Sequence, residues 1–272
     1  MSTFQGKHIL ITGGAGGIGL LMAQRIQTLD PTAITLWDVN EEALQQAGSQ
    51  LNDASHLTTH CVDIANPDQI YAQAKIVLES VGPVDILINN AGIVVGKYFE
   101  DHSVRDIEQT IRINLLGAMH VCKAFLPAMR HQGSGHIVNI ASAAGLIPNP
   151  KMTVYASSKW GMVGWSESLR IELSQQNSGI NITTVEPSFI NTGMFDGVTA
   201  PKFTPLLEPD DIVNRIIKAV QSNQTQLRAP FMVKLIPFLK GILPRPLFDS
   251  VAGKLFGVYR AMDTFKDSHS ST

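Results

Sequence analysis

Tyr155 and Lys159 end the run Tyr155-Ala-Ser-Ser-Lys159, and residues four apart lie on the same face of a helix. The spacing predicts a phenol and an ammonium side by side. A phenol has a reference pKa near ~10 and accepts a proton poorly at neutral pH, but a cation within a few ångströms stabilises the phenolate and lowers that value. Such a pair makes a base. Tyr and Lys also fall at this spacing in ordinary helices, so the meaning of the pair depends on its company.

The first companion is His8-Ile-Leu-Ile-Thr-Gly-Gly-Ala-Gly-Gly-Ile-Gly19, an apolar stretch that breaks into glycines and then into a helical pattern over 20–29. It reads as strand, tight turn and helix. Gly14, Gly16 and Gly19 fit G-x-G-x-x-G, and Gly13, Gly17 and Gly19 fit the looser T-G-x-x-x-G-x-G. Glycines let the backbone turn sharply against a pyrophosphate, while free N–H groups at the helix start face its negative charge. A second apolar stretch, 33–37, ends in Asp38, about twenty residues beyond, where a dinucleotide fold places an acid on the adenosine ribose. A carboxylate there accepts hydrogen bonds from the ribose hydroxyls and repels a 2′-phosphate. The positions that could supply a countering positive charge, Gly14, Ala15, Gly16 and Val39, are uncharged. NAD is therefore expected over NADP. The competing reading of Asp38 is a solvated strand-end residue or the cap of a helix beginning near Glu41.

These signals need a scaffold, and the rest of the chain supplies its pattern. Strands are predicted near 8–12, 33–38, 58–62, 86–89, 136–140, 181–185 and 226–229, with helical patterns between them. Such alternation argues for an α/β fold, a doubly wound parallel sheet with helices on both faces. At 272 residues, 44% hydrophobic and 16% charged, the chain suits a single domain with one substantial core. A formal charge of −2 without a basic block gives no support for nucleic-acid binding. Cys61 and Cys122 sit in apolar stretches and read as small buried residues in a reducing compartment. The eight histidines form no metal-binding motif, and no metal site is expected.

Through Thr12-Gly13-x-x-x-Gly17-x-Gly19, Asp63, Asn89-Asn-Ala-Gly92, Asn114, Ser142, Tyr155-x-x-x-Lys159 and the segment from Pro187 to Thr192, the chain resembles the short-chain dehydrogenases/reductases along nearly its whole length. It is similar above all to their microsomal retinol and 17β-hydroxysteroid dehydrogenase-like branch. Leu36-Trp-Asp-Val-Asn40, Ile190-Asn-Thr-Gly-Met-Phe195, Leu206-Leu-Glu-Pro209, Leu239-Lys-Gly-Ile-Leu-Pro244 and Ala261-Met-Asp-Thr-Phe265 carry that likeness. The resemblance implies a Rossmann fold of seven strands in the order 3-2-1-4-5-6-7. It implies a cofactor site from Thr12, Gly13, Gly17, Ile18, Gly19, Asp38, Asp63, Ile64, Asn90, Ala91, Gly92, Tyr155, Lys159, Pro187, Ile190 and Thr192. Asp63 would contact the adenine and Thr192 the nicotinamide carboxamide, and the small residues at 90–92 would let the backbone lie against the cofactor. Pro187-Ser188 departs from the family's frequent Pro-Gly.

With that site the chemistry assembles. Oxidising an alcohol needs a hydride acceptor at carbon, supplied by NAD, and a proton acceptor at oxygen, supplied by Tyr155. Ser142 follows the strand at 136–140 and would hydrogen-bond the same oxygen. By the resemblance, Lys159 also binds the nicotinamide ribose, and Asn114, in the helical pattern over 104–119, fixes a water that relays protons. The segment 188–208 lies where the family keeps a lid, and its Phe189, Met194, Phe195, Phe203, Leu206 and Leu207 suggest a lipophilic alcohol or carbonyl: retinoid-like, steroid, terpenoid or long-chain.

The expected organisation is a catalytic core over 1–230, an apolar C-terminal extension over 231–265 and a disordered tail over 266–272. The extension mixes apolar residues with Pro237, Pro244, Pro246 and several cations, and no apolar run in it is long enough to span a bilayer. It is expected to lie on a membrane surface, cover the pocket or meet another subunit. The related branch usually begins with a hydrophobic anchor, whereas residues 1–6 lead directly into strand one here. A cytoplasmic, peripherally attached homodimer or homotetramer is expected. The alternatives are an NAD-dependent hydroxysteroid dehydrogenase, a carbonyl reductase, an NAD-binding interaction protein without turnover and a structural protein of a membrane surface.

Overall fold

A computed structural model describes residues 2–51 and 56–266. The chain runs β1 (His8–Thr12), α1 (Gly17–Gln27), β2 (Ala33–Asp38), α2 (Glu41–Gln50), β3 (Leu57–Cys61), α3 (Pro67–Ser80) and β4 (Ile86–Asn89). It continues through α4 (Val104–Ile111), α5 (Ala118–Gln132), β5 (Gly135–Ile140), α6 (Thr153–Gln175), β6 (Ile180–Pro187), α7 (Pro209–Gln221) and β7 (Gln226–Ala229). The extension forms α8 (Phe231–Ile242) and α9 (Arg245–Ser250), followed by a π-helical turn over Val251–Leu255 and a 3-10 turn over Val258–Arg260. Of the tail expected over 266–272, Lys266 is described, its N–H donating to the Asp196 carbonyl at 2.9 Å, and 267–272 lie outside the described residues.

All seven strands pair in parallel, in the expected order β3-β2-β1-β4-β5-β6-β7. Because both faces of such a sheet are covered, its central strands are apolar on alternate residues toward both sides. Ile9, Ile11, Leu36 and Ile88 pack with Met22 and Ile26 of α1 and Val213 and Ile216 of α7. On the opposite face Leu10, Trp37, Leu87 and Ile137 meet Val121, Phe125 and Met129 of α5, with the Trp37 and Phe125 ring centroids 5.6 Å apart. Each such side chain contributes roughly 1.5–3 kcal/mol on full burial, so the sheet is a firm base for the loops at its carboxyl edge.

Three departures from the sequence reading have physical causes. Cys122 is buried as expected, with its thiol pushed up to about 12 by loss of water. Cys61 is exposed instead. It ends the edge strand β3, which pairs only with β2, and its Sγ donates to the Val39 carbonyl 3.4 Å away. Helix α1 begins at Gly17, three residues before the predicted pattern, so the glycines form its first turn. Finally, the helical pattern over 104–119 is broken by a π-helical segment, Arg112–Gly117, joining α4 to α5. A π turn holds one residue more than an α turn and recurs at functional sites.

The β1–α1 turn shows why glycine is required at particular places. Gly13 and Gly17 have φ of 63° and 51°, the left-handed region that side chains avoid. Gly19 is needed for a close approach, since a Cβ there would overlap the Gly13 carbonyl oxygen and press on the Asn90 side chain. A Cβ on Gly16 meets nothing within 4 Å. Gly19→Ala is therefore expected to lower unfolding stability by about 2–4 kcal/mol, while Gly16→Ala stays within about 0.5 kcal/mol of the parent. Urea titration of both variants checks this, and equal losses would contradict the assignment.

Candidate active site

Every strand delivers the chain to the carboxyl edge of the sheet, where a crevice of about 1010 Å³ opens. Its floor is the turn after β1, tied to the segment after β4 by the side chains of Thr12 and Asn90. The Thr12 hydroxyl accepts from the Asn90 and Ala91 N–H groups at 3.1 and 3.2 Å. The Asn90 amide donates to the Thr12 and Gly13 carbonyls at 3.1 and 2.9 Å. Asn90 thus spends its side chain on the glycine turn and offers its backbone to the crevice. Gly13, Gly16, Gly17, Ile18, Asp38, Asn90, Ala91 and Gly92 line one end.

The fit to a dinucleotide can be tested on this floor. Helix α1 starts at Gly17 behind Gly16, which has no side chain to cap it, and its first turn holds no acidic residue, leaving N–H groups free for an anion. Space above Gly16 and Gly17 is open. Asp38 stands at the rim, its carboxylate accepting from Ala15 N–H at 3.2 Å and Asn40 N–H at 3.1 Å. It does not cap α2: Asn40 does, accepting from Ala43 N–H at 3.0 Å. These features suit a pyrophosphate and a ribose diol.

The other end is lined by Ile140, Ala141, Ser142, Tyr155, Lys159, Pro187, Ser188, Ile190 and Thr192. Strand β5 delivers Ser142, and α6 places Tyr155 and Lys159 on one face. Both are buried, and Lys159 Nζ lies 5.6 Å from the Tyr155 ring centre while donating to the Ile140 carbonyl at 2.8 Å. The expected lowering of the Tyr155 pKa is not seen. Burial drives the phenol up to about 12, against the hydrogen bond from Ser142 that lowers it. Burial also brings the ammonium down to about 8. Loss of water is the largest influence on both groups.

Asn114 is fully buried beside the loop after β4. Carried inward by the π segment, its Oδ1 accepts from Ile93 N–H at 2.8 Å, and its Nδ2 donates to the Ile93 carbonyl at 2.9 Å and the Ser158 hydroxyl at 3.2 Å. Ser158 donates in turn to the Tyr155 carbonyl at 2.6 Å. One amide proton thus braces the loop after β4 and the other braces α6, leaving acceptor capacity on Oδ1. Asp63, Ile64, Thr12 and Gly19 also lie outside the crevice wall. Asp63 folds its own turn through Ala65 N–H at 2.8 Å, and Ile64 is buried beneath Gly117. Ser188 takes no left-handed φ, and its N–H donates to the Ala229 carbonyl at 2.7 Å, so serine serves at this corner. Fully buried Glu186 accepts from Arg228 Nε at 2.6 Å, tying β7 to the same corner.

A second, apolar pocket of about 850 Å³ meets the crevice at Ser142, Ser188 and Phe195. Ile147, Met152, Phe189 and Phe195 form its inner wall, and Val233, Ile236, Leu239, Phe248 and Phe256 of the extension its outer one. Phe195 stands edge-on to Tyr155, ring centres 6.2 Å apart. Sequence reasoning did not single out Ser158 as site-building, and it marked the extension as a whole, not individual residues of α9, as a candidate cover for the pocket. A serine between two candidate residues has no distinctive spacing, whereas the apolar side of α8 could be found at positions 232, 236 and 239.

Residues 7–202 match the model of the short chain dehydrogenase family. Epidermal retinol dehydrogenase 2 of Mus musculus is 38% identical over 272 residues, spanning 98% of this chain and 87% of the relative. Estradiol 17-beta-dehydrogenase 11 of Homo sapiens is 34% identical over 263 residues, spanning 96% and 87%. Among solved structures, a short chain dehydrogenase/reductase from Burkholderia phymatum in complex with NAD is similar at a TM-score of 0.80 and 26% identity, over 89% of this chain and 95% of that one. A metagenomic short-chain oxidoreductase in complex with NADP has a TM-score of 0.70 at 28% identity, over 85% and 100%. Glycine turn, strand order, Tyr–Lys pair and sequence kinship converge: the chain belongs to the short chain dehydrogenase family, as an oxidoreductase of its retinol and 17β-hydroxysteroid dehydrogenase branch.

Proposed function

We propose that the protein interconverts a lipophilic alcohol and its carbonyl, with NAD as the partner. The observation that carries the proposal is the meeting of a dinucleotide-shaped crevice and an apolar pocket at Ser142, beside Tyr155. A bound nicotinamide dinucleotide supplies the hydride acceptor. Gly13, Gly16, Gly17 and Ile18 would hold its pyrophosphate, Asp38 its adenosine ribose, and Asp63 and Ile64 the adenine side. Ala91 and Gly92 would lie against it from β4, with Pro187, Ile190 and Thr192 against the nicotinamide and Lys159 on its ribose.

The chain's own residues manage the proton and the orientation. Ser142 donates to the substrate oxygen and holds it within reach of Tyr155, which takes the hydroxyl proton in oxidation and returns it in reduction. Lys159 supports the phenolate, and Asn114, through Ser158 and Ile93, keeps α6 in place. Removing the phenol leaves the ring to pack while deleting the proton acceptor. Tyr155→Phe is expected to bind NAD with unchanged affinity and lose at least about a hundredfold in kcat. Parallel NAD titration and turnover measurement check it, and undiminished kcat would refute the role.

The sign of the pH dependence follows from the same pair. Alcohol oxidation needs Tyr155 deprotonated and carbonyl reduction needs it protonated. Burial holds the phenol at about 12, so between about pH 7 and about pH 9 it stays largely protonated while its small phenolate fraction rises with pH. Oxidation should therefore quicken from about pH 7 to about pH 8, where the ammonium at about 8 still supports the phenolate, and level off as Lys159 loses its proton, while reduction changes little. Initial rates in both directions across that range test this.

The cofactor reading rests on Asp38, the rim carboxylate over the open glycine turn. A 2′-phosphate placed there meets like charge without an adjacent cation. NAD should give the higher kcat/KM, and Asp38→Ala should narrow the gap mainly by improving NADP. A preference of the parent protein for NADP would overturn this reading. The proposed setting is a cytoplasmic homodimer or homotetramer, supported by the exposed free thiol of Cys61 and an apolar groove lined by Met119, Leu126, Trp165 and Leu169.

A further inference from the structure

Helix α8 is apolar on two faces at once. Met232, Val233, Ile236 and Leu239 line the apolar pocket. Phe231, Phe238 and Ile242, spaced seven and four apart on another face, are 65%, 64% and 62% exposed. Beyond α8 the pattern repeats, with Phe248 and Phe256 inside the pocket wall and their neighbours Leu247 and Leu255 exposed. From the segment over 188–208, Phe203 joins them, exposed and edge-on to Phe256 with ring centres 6.1 Å apart. A thin wall of side chains thus separates an apolar cavity from an apolar outer surface. A helix apolar toward both sides needs a second apolar environment.

Charge identifies that environment. Lys234, Arg245 and Lys254 stand exposed among these residues, and Asp249 is the single acid in the sequence over 231–258. Asp249 already accepts from the Tyr259 hydroxyl at 2.7 Å. Lys240 is engaged inward, over the Trp160 ring at 3.6 Å and donating to the Leu146 carbonyl at 3.1 Å, which pins α8 to the catalytic helix. A second copy meeting this face about a two-fold axis would set its cations against their own images. A sheet of anionic headgroups over acyl chains matches both the charge and the apolar side chains.

We propose that the outer face of α8 and the turns after it, with Phe203, docks on an anionic phospholipid surface, and that apolar substrate passes between bilayer and pocket across this wall. The contact is interfacial: no helix among the described residues is long and apolar enough to cross a membrane. Its second half rests on reading the pocket as the substrate site, whereas the docking itself does not.

The test uses the full chain and two vesicle preparations, phosphatidylcholine alone and phosphatidylcholine mixed with phosphatidylserine, in co-sedimentation at low and high salt. Binding to the mixed vesicles at low salt, weakened by salt, is expected. F238S/I242S and K234E/K254E should each weaken it by about tenfold or more. These side chains lie outside both pockets, so turnover of a short water-soluble alcohol without vesicles should remain at the parent level, which separates a failure of docking from a failure of the enzyme reading. No association at low salt, or association indifferent to both variants, overturns the proposal. So does a smaller particle in F238S/I242S by light scattering without vesicle affinity in the parent, which would assign the face to a second copy. Should a variant lower the melting temperature, F231S on the same helix face supplies the comparison.

Discussion

An ammonium group buried at the end of β5 is the constraint on which the site depends. Lys159 has lost nearly all its water, and its Nζ leans on one backbone carbonyl, that of Ile140. A buried charge with so few partners is costly, and the structure responds by lowering its proton affinity. The neighbouring phenol is burdened in the opposite sense, because burial disfavours its anion. Two groups that each resist being charged alone are placed where a charge on one lowers the cost of a charge on the other. Everything else at the carboxyl edge holds that arrangement still: Ser142 from β5, the Asn114–Ser158 brace behind α6, and the Glu186–Arg228 pair beneath the corner at Pro187.

Much of this scaffold was legible in the chain because parallel strands buried on both faces leave apolar runs with sharp ends. Strands β1, β2, β4 and β7 fall on the predicted residues, and β3 is displaced by one. The glycine turn was legible because left-handed φ and close backbone contact leave few substitutes for glycine. What escaped was tertiary. The exposure of Cys61 depends on β3 being an edge strand, which local pattern does not reveal. The electrostatic order of Tyr155 and Lys159 depends on how deeply they are buried, and spacing along a helix carries no measure of depth. The commitment of Asn114 to Ile93 and Ser158 joins residues from three separate stretches of sequence.

The extension shows the same limit from another side. Its prolines and apolar residues marked it as unusual, but not which face of α8 would look inward. That was settled by the pocket, whose outer wall is built by α8, α9 and the turns that follow. The apolar pocket takes its outer wall from residues after 230, whereas the glycine turn at one end of the crevice comes from residues before 93.

The π-helical segment between α4 and α5 has a consequence for chain length. An α-helix turns about 100° per residue, and the extra residue held in Arg112–Gly117 makes the two flanking helices out of phase by that angle. Deleting a single residue here would let one continuous α-helix form, more regular and with better-aligned backbone hydrogen bonds. It would also swing α4 around its axis relative to α5 and carry Asn114 away from Ile93 and Ser158. The irregular turn therefore acts as a fixed phase offset, and the helix is kept from its most regular state by a side chain that must point into the protein.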